Sequence, residues 1–116
     1  MNQVAMNNVY EWMLERETPA IKIKSPKVKA LIFCQESVEK IGCTWEEIKS
    51  KDRKRRLSDA RKCVTKYLIS HGWTTEAAGE QMNRHYSTVV YQKQKCKTLL
   101  EYDADFRHTW QEFTRV

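Results

Sequence analysis

Residues 74–100 constrain the fold of this chain most strongly, because they combine two helical patterns with a short interruption. The first half, TTEAAGEQM, has small apolar residues at helical spacing, with Gly79 where a second helix could cross closely. The polar residues 83–85 break this pattern. A second pattern then begins at Ser87 and Thr88 and places apolar residues on one face. The stretch therefore predicts two helices joined by a tight corner.

The other face of the second predicted helix is polar and basic. Its members are Tyr91, Gln94, Lys95 and Thr98, with Lys93 and Lys97 at the flanks. A small-residue helix, a short corner and a basic second helix with hydroxyls at its start are typical of a DNA-binding helix-turn-helix. An antiparallel helical hairpin with a solvated face has the same periodicity and stays open as an alternative.

The composition of the chain favours a single all-α domain. Three Gly and two Pro among 116 residues argue against a turn-rich β fold, and a hydrophobic content of 41% argues against disorder. We expect an amphipathic N-terminal helix over residues 1–18, a connector over 19–25 and the helix-turn-helix domain over 26–116. The sequence has no long apolar run and no signal-peptide pattern at its start, so no membrane contact and a cytoplasmic location are expected.

Local signals predict several helix ends. Ser25 followed by proline predicts a cap and first turn, and Gly42 predicts the end of that helix. Thr44 with a glutamate three residues later predicts a capping box. A long helix is expected to begin near Ser58, after a loop, and to end at Gly72.

Positive charge is concentrated in two places. The formal net charge is +6, and residues 49–62, the basic run, contain eight basic residues against two acidic ones. Residues 84–97 add four basic residues and no acid. Two basic patches on a balanced body are the electrostatic footprint of nucleic-acid binding, whereas a solvated surface usually mixes both signs. Membrane-surface binding is a weaker alternative, because no large apolar face accompanies the basic run.

The sequence contains no arrangement typical of a metal site or a catalytic site. The cysteines have no C-x-x-C spacing and no histidine at ligand distance: Cys34, Cys43, Cys63 and Cys96. The acidic pairs near helix ends fit capping better than acid–base chemistry. We therefore expect no metal, no cofactor and no enzymatic activity.

Four segments between residues 40 and 107 carry a resemblance to a known family. In chain order they are KIGCTWEEIKSKDRKRRLSDARK (40–62), YL (67–68), AGEQMNRHYSTV (78–89) and LLEYDADFR (99–107). Their order and spacing resemble domain IV, the C-terminal DNA-binding domain, of the bacterial replication initiator DnaA. The resemblance implies an all-helical domain that binds short asymmetric boxes in duplex DNA. It also implies a recognition helix in the major groove and a loop arginine in the neighbouring minor groove.

The resemblance also implies roles for individual residues. Arg84, Ser87 and Thr88 match family positions near bases or phosphates. Arg53 matches the arginine of the basic loop, and Arg61 matches the arginine of the family's A-R pair. Together with residues selected by charge and position, the predicted DNA-binding set is Arg53, Lys54, Arg55, Arg56, Arg61, Arg84, His85, Tyr86, Ser87, Thr88, Tyr91, Lys93 and Lys95.

Several of these residues also fit a purely structural role. Tyr86 fits a core aromatic, His85 fits a corner residue, and the hydroxyls at Ser87 and Thr88 fit helix caps. Three aromatic residues lie outside the matched segments and either pack together or form a surface for a protein partner: Trp12, Trp110 and Phe113.

The chain departs from the family at two base-reading positions and in its overall extent. His85 replaces an aspartate and Tyr86 replaces a histidine, so we expect a different preferred sequence. The phosphate-binding motif G-x-x-x-x-G-K-[ST] is absent, so no nucleotide is expected. The resulting hypothesis is a sequence-specific DNA-binding protein that regulates replication or transcription, such as on a mobile element. The alternatives are a protein-interaction module on a degenerate helix-turn-helix scaffold and a non-catalytic DNA-binding subunit of a larger complex.

Overall fold

A computed structural model describes residues 25–116 of the chain. The predicted helix over residues 1–18, with Trp12, and the predicted connector up to residue 24 lie outside this range. The described part is all-α and contains no strand, as the composition predicts. Its helices are α1 (Pro26–Lys40), α2 (Trp45–Lys49), α3 (Arg55–Ser70), α4 (Thr75–Met82), α5 (Tyr86–Tyr102) and α6 (Ala104–Thr114). None of these helices is long and apolar enough to cross a membrane.

Helices α1 to α3 have the ends that local sequence signals predict, apart from the start of α3. The Ser25 hydroxyl accepts a backbone N–H of the first turn of α1 at 3.2 Å. Thr44 and Glu47 form the predicted capping box, in which each side chain accepts the other residue's backbone N–H, at 3.2 and 3.0 Å. Gly42 and Gly72 follow α1 and α3 with φ angles of +84° and +93°, which glycine adopts without strain. The predictions for these residues are confirmed.

The long helix α3 begins at Arg55 rather than near Ser58. Lys54 at its N-cap makes no side-chain capping bond, so no capping signature marks this start. The Arg55 guanidinium instead lies 3.7 Å from Asp59 and 3.7 Å from Asp103. These carboxylates offset the unfavourable interaction between a basic first turn and the helix dipole. The predicted loop up to Ser58 is therefore too long.

The core surrounds α3, which contacts each of the other five described helices. Its apolar face is buried, and the four cysteines lie free and buried in the same core. Burial raises the pKa of the Cys34 and Cys63 thiols, so these groups stay protonated and unreactive at neutral pH. Each cysteine behaves as a small apolar side chain.

The C-terminal helix α6 closes the core through an aromatic cluster. Phe113 is 0% exposed, and its ring centroid lies 6.2 Å from those of Phe33 and Tyr67. The Trp110 ring stacks on it at 5.9 Å. Of the two alternatives that the sequence leaves open for Trp110 and Phe113, the structure shows the first, because the two rings pack together.

Helices α4 and α5 approach each other closely at Gly79. A Cβ atom on Gly79 would lie 2.5 Å from the backbone oxygen of Arg84 and 3.1 Å from a methyl of Val89. No other residue fits there without movement of the corner. The corner spans residues 83–85, and Asn83 has the left-handed φ of +57°. The predicted pair of helices, tight corner and close crossing are confirmed.

Candidate nucleic-acid interface

A cleft lies between the α2–α3 loop (residues 50–54) and the N-terminus of α5, and both basic patches contribute to it. Its volume is about 600 Å³. We name it the basic cleft, and its lining residues are Lys51, Arg53, Ser58, Arg61, Asn83, Arg84, His85, Thr88 and Gln92. Four of these side chains are cationic, and no carboxylate from the described part of the chain lines the cleft. Such a cleft attracts anions.

Arg61 lines the basic cleft, and its side chain makes hydrogen bonds that stabilise the fold. It is 4% exposed, and burial and then the Arg84 charge lower its pKa. Its guanidinium donates four hydrogen bonds of 2.8 to 3.0 Å to backbone oxygens of residues 47–52: those of Glu47, Ile48, Ser50 and Asp52. Four of its five N–H donors are thereby used. The structure thus shows that Arg61 holds the end of α2 and the α2–α3 loop; its contact with DNA stays a prediction, with one N–H donor left for it.

The α2–α3 loop is also fixed by its own side chains. Asp52 accepts the Lys54 backbone N–H at 3.0 Å and pairs with the Lys54 ammonium at 3.1 Å. These two contacts hold the pKa of the Asp52 carboxyl below its usual value. The Ser50 hydroxyl donates to the Glu47 oxygen at 2.7 Å and accepts the Asp52 N–H at 3.2 Å. Arg53 is therefore presented from a defined loop.

Arg84 joins the α4–α5 corner to this loop. The partly buried guanidinium donates to the oxygens of Met82 at 3.2 Å and Asn83 at 3.1 Å, and also to that of Ser50. Burial lowers the pKa of Arg84, and the nearby Arg53 charge lowers it further. The loop and the start of α5 thus form one unit, with two guanidinium groups close together in the cleft.

The side chains of the four successive basic residues 53–56 lie in different environments. Arg53 lines the basic cleft, whereas Lys54 pairs with an acid of its own loop. Arg55, the first residue of α3, lies against Asp59 and Asp103. Arg56 packs over Gly42, and its guanidinium lies 3.5 Å from the Gly42 oxygen. The structure therefore places only one of these four predicted residues beside the corner.

His85 is the N-cap of α5. Its Nδ1 accepts the Ser87 backbone N–H at 3.2 Å and lies 2.8 Å from the Ser87 hydroxyl. An accepting Nδ1 requires that the neutral ring carries its proton on Nε2, which leaves a donor on this exposed side chain. The cap is thus His85 itself, whereas the hydroxyls of Ser87 and Thr88 are exposed.

The first turns of α5 also expose a group of large side chains. Tyr86 is 48% exposed, so the alternative of a core aromatic does not hold, and its ring lies 4.5 Å from that of His85. Tyr91 is exposed one turn further on, with the Lys95 ammonium 5.9 Å from its ring centroid. Lys93 lies elsewhere, in a groove of about 450 Å³ between α3 and α5.

Gln92 is absent from the predicted DNA-binding set, yet it lines the basic cleft. It is 8% exposed, and its amide oxygen accepts a hydrogen bond from the Thr65 hydroxyl at 3.0 Å. The sequence does carry a signal for it. Gln92 is a polar residue on the inner face of α5, three residues after Val89 and four before Cys96.

The fold and the cleft define a small all-α protein with a cationic cleft at the corner between two helices. Within residues 25–116 no group of three or more His, Cys, Asp and Glu side chains is placed to hold a metal ion. Comparison with protein-family models, curated proteins and solved structures found no match to this chain. The resemblance to the initiator's domain IV therefore stays a prediction based on the residues.

Proposed function

We propose that this chain binds duplex DNA in a sequence-dependent way, with α4 and α5 acting as a helix-turn-helix. In this proposal α5 enters the major groove, and Arg53 reaches the neighbouring minor groove. The protein regulates replication or transcription by occupying box-like sites. The observation that carries the proposal is the basic cleft, where the loop of the basic run meets the N-terminus of α5.

The electrostatics of the cleft support an anionic partner. Burial lowers the pKa of both Arg84 and Arg61, and the neighbouring like charge, Arg53 for Arg84 and Arg84 for Arg61, lowers it further. Such a cluster costs folding free energy, and a bound polyanion offsets this cost. Clusters of perturbed charges are typical of functional sites.

The exposed start of α5 supports sequence dependence. A recognition helix contacts base edges with its N-terminal residues, and α5 exposes His85, Tyr86 and Ser87 there. These side chains offer donors, acceptors and an aromatic ring, which suit the varied edges of the major groove. Lys95 lies further along the exposed face, where a phosphate contact fits better.

The salt dependence of binding tests the proposal. Contacts with four to seven phosphates give a slope of about −4 to −6 for log K against log salt concentration. The measurement is fluorescence anisotropy of a labelled mixed-sequence duplex at several salt concentrations. A slope near zero, or no binding at low salt, would favour the protein-interaction module. Selection from random duplexes then tests sequence dependence, which fails if no sequence is enriched.

A further inference from the structure

Gln92 places a hydrogen-bond donor in the floor of the basic cleft. The Thr65 hydroxyl donates to its amide oxygen at 3.0 Å, and this contact fixes which end of the amide is the acceptor. The amide nitrogen therefore carries two N–H donors. Among the described residues, Thr65 is the one hydrogen-bond partner of the Gln92 side chain.

A polar side chain that is more than nine-tenths buried usually has its donors and acceptors paired. Gln92 is 8% exposed and lines the cleft, and no described residue accepts from its amide nitrogen. The amide nitrogen is not fully enclosed by the described part of the chain, so it is accessible from the cleft. Its two donors are therefore available to an acceptor that enters the cleft.

The other lining groups define the chemistry of that acceptor. Thr88 precedes Gln92 by one helical turn and adds a hydroxyl on the same side of α5. Arg53 and Arg84 add positive charge, and no described carboxylate lines the cleft. The N-terminus of this 17-residue helix also favours negative charge. Amide, hydroxyl and guanidinium donors without an acid suit a tetrahedral phosphate oxyanion.

We propose that the basic cleft is a phosphate-binding site in which the Gln92 amide nitrogen and the Thr88 hydroxyl hold one phosphodiester of the duplex backbone. This inference rests on the proposed DNA binding and names one contact within it. A phosphate contact carries no sequence information of its own, but it fixes the position of a helix on the duplex. Gln92 is thus a positioning residue for the base contacts made at the start of α5.

A neutral-phosphate scan tests the site. Methylphosphonates replace the phosphates of the preferred duplex one at a time. We expect wild-type binding to weaken at each contacted phosphate, including a loss of about tenfold at the phosphate that Gln92 holds. Gln92→Glu keeps the size of the side chain and the acceptor for Thr65, but it turns the donor into a repelling oxygen. Its affinity for the natural duplex falls about tenfold or more, and the neutral linkage at that position no longer weakens binding.

Two further variants make the scan specific. Gln111→Glu makes the same substitution and the same change in net charge on the exposed side of α6, so its phosphate profile matches that of the wild type. Gln92→Met combined with Thr65→Val removes both ends of the buried hydrogen bond and leaves no unpaired group. This double variant keeps a folded control available if a carboxylate at position 92 prevents folding, and it too loses the dependence on the one phosphate.

The outcomes separate the two proposals. Duplex binding with the same phosphate profile in wild type and both Gln92 variants overturns the phosphate site and leaves DNA binding intact. No duplex binding by the wild type overturns the proposed function and the site with it. NMR titrations with inorganic phosphate and with duplex distinguish free phosphate from a backbone phosphodiester as the ligand of the cleft. If free phosphate shifts the Gln92 side-chain amide resonance and duplex does not, the phosphodiester assignment is overturned.

Discussion

Three arginines of the basic cleft have the same charge and different surroundings. Arg61 is buried, and four of its donors are bound by backbone oxygens. Arg84 is partly buried and bonds the corner to the α2–α3 loop. Arg53 is exposed, and its charge lies close to Arg84. Arg61 keeps one of its five N–H donors and Arg84 keeps two, whereas Arg53 makes no hydrogen bond to a described residue, so Arg53 has the most donors available to DNA.

The first prediction compares Arg53→Ala with Arg56→Ala. The sequence alone predicts that both changes weaken binding. The structure places Arg53 in the basic cleft and Arg56 over Gly42, away from the corner. We expect Arg53→Ala to weaken duplex binding about tenfold, because a hydrogen bond to a charged group contributes about 1.5 to 3 kcal/mol.

Arg56→Ala is the matched control for that prediction, since both changes remove one exposed guanidinium from the same run. We expect it to weaken binding less than about threefold, through the loss of long-range charge alone. Titration of one duplex at fixed salt concentration measures both effects. Equal losses for the two variants would show that the basic run acts as diffuse charge.

The second prediction concerns the two positions that depart from the initiator family, His85 and Tyr86. Neutral His85 offers a donor where the family's aspartate offers only acceptors, and the exposed Tyr86 ring can contact a thymine methyl. We expect the wild type to prefer a site other than the initiator's box. His85→Asp with Tyr86→His shifts the preference toward that box by about 1 to 3 kcal/mol per corrected base contact.

The double substitution should change the base contacts without disrupting the start of α5. His85 caps α5 through its Nδ1, and an aspartate is also a good N-cap, so the start of the helix is kept. The measurement is a competition between the two duplexes at one salt concentration, with the Lys95→Ala variant as a control for phosphate contacts. A change in overall affinity without a change in the ratio would mean that these residues do not contact bases.

Helix α3 and the loop before it are joined by Arg61, and this leads to the third prediction. Arg61→Lys keeps the positive charge, but a lysine ammonium has no planar fork and cannot reach four backbone oxygens. We expect the free energy of unfolding to fall by about 2 to 4 kcal/mol. The salt dependence of DNA binding keeps its slope, because the charge remains.

Urea denaturation and amide hydrogen exchange over residues 47–54 measure the effect of Arg61→Lys. Faster exchange in the loop together with a lower free energy of unfolding supports the holding role. Unchanged stability and exchange together with weaker duplex binding would instead assign the Arg61 guanidinium to a phosphate contact. Lys51→Gln serves as the comparison, because Lys51 is exposed in the same cleft.

The helices differ in how far the sequence predicts them, and the reason is the range of the contacts involved. The caps at Ser25 and Thr44 and the glycine after α1 depend on residues within one turn, so the sequence predicts them well. The start of α3 depends on the ion pair between Arg55 and Asp103, which are distant in the chain. No local pattern contains that information.

The candidate site shows the same division. The two basic patches and the tight corner follow from the sequence, and the structure brings Arg53 and Arg84 together in one cleft. The burial of Arg61 does not follow, because its four acceptors lie 9 to 14 residues away, two in helix α2 and two in the irregular loop after it. Arginine is otherwise a surface residue. The burial of Gln92 does not follow from the sequence either, because its partner Thr65 lies on another helix.

Helix α6 packs against α1 and α3, and it also contacts α5, which contributes to the basic cleft. Phe113 contacts Phe33 of α1 and Tyr67 of α3, and the Lys40 ammonium donates to the Phe113 oxygen at 3.4 Å. Helix α3 in turn contacts α4 and α5. One continuous core of this kind should unfold in a single transition.

The last prediction tests this cooperativity with Phe113→Ala. Loss of a fully buried phenylalanine lowers the free energy of unfolding by about 3 to 5 kcal/mol. Because the core is continuous, protection from hydrogen exchange should fall by the same free energy in α5 as in α6. Trp110→Ala, in the same helix but at a partly exposed position, should lower both by a smaller amount. Native-state exchange at low temperature measures both helices in one experiment. If α6 loses protection while α5 keeps it, the C-terminal helix unfolds independently of α5, and the basic cleft is stabilised by the other helices alone.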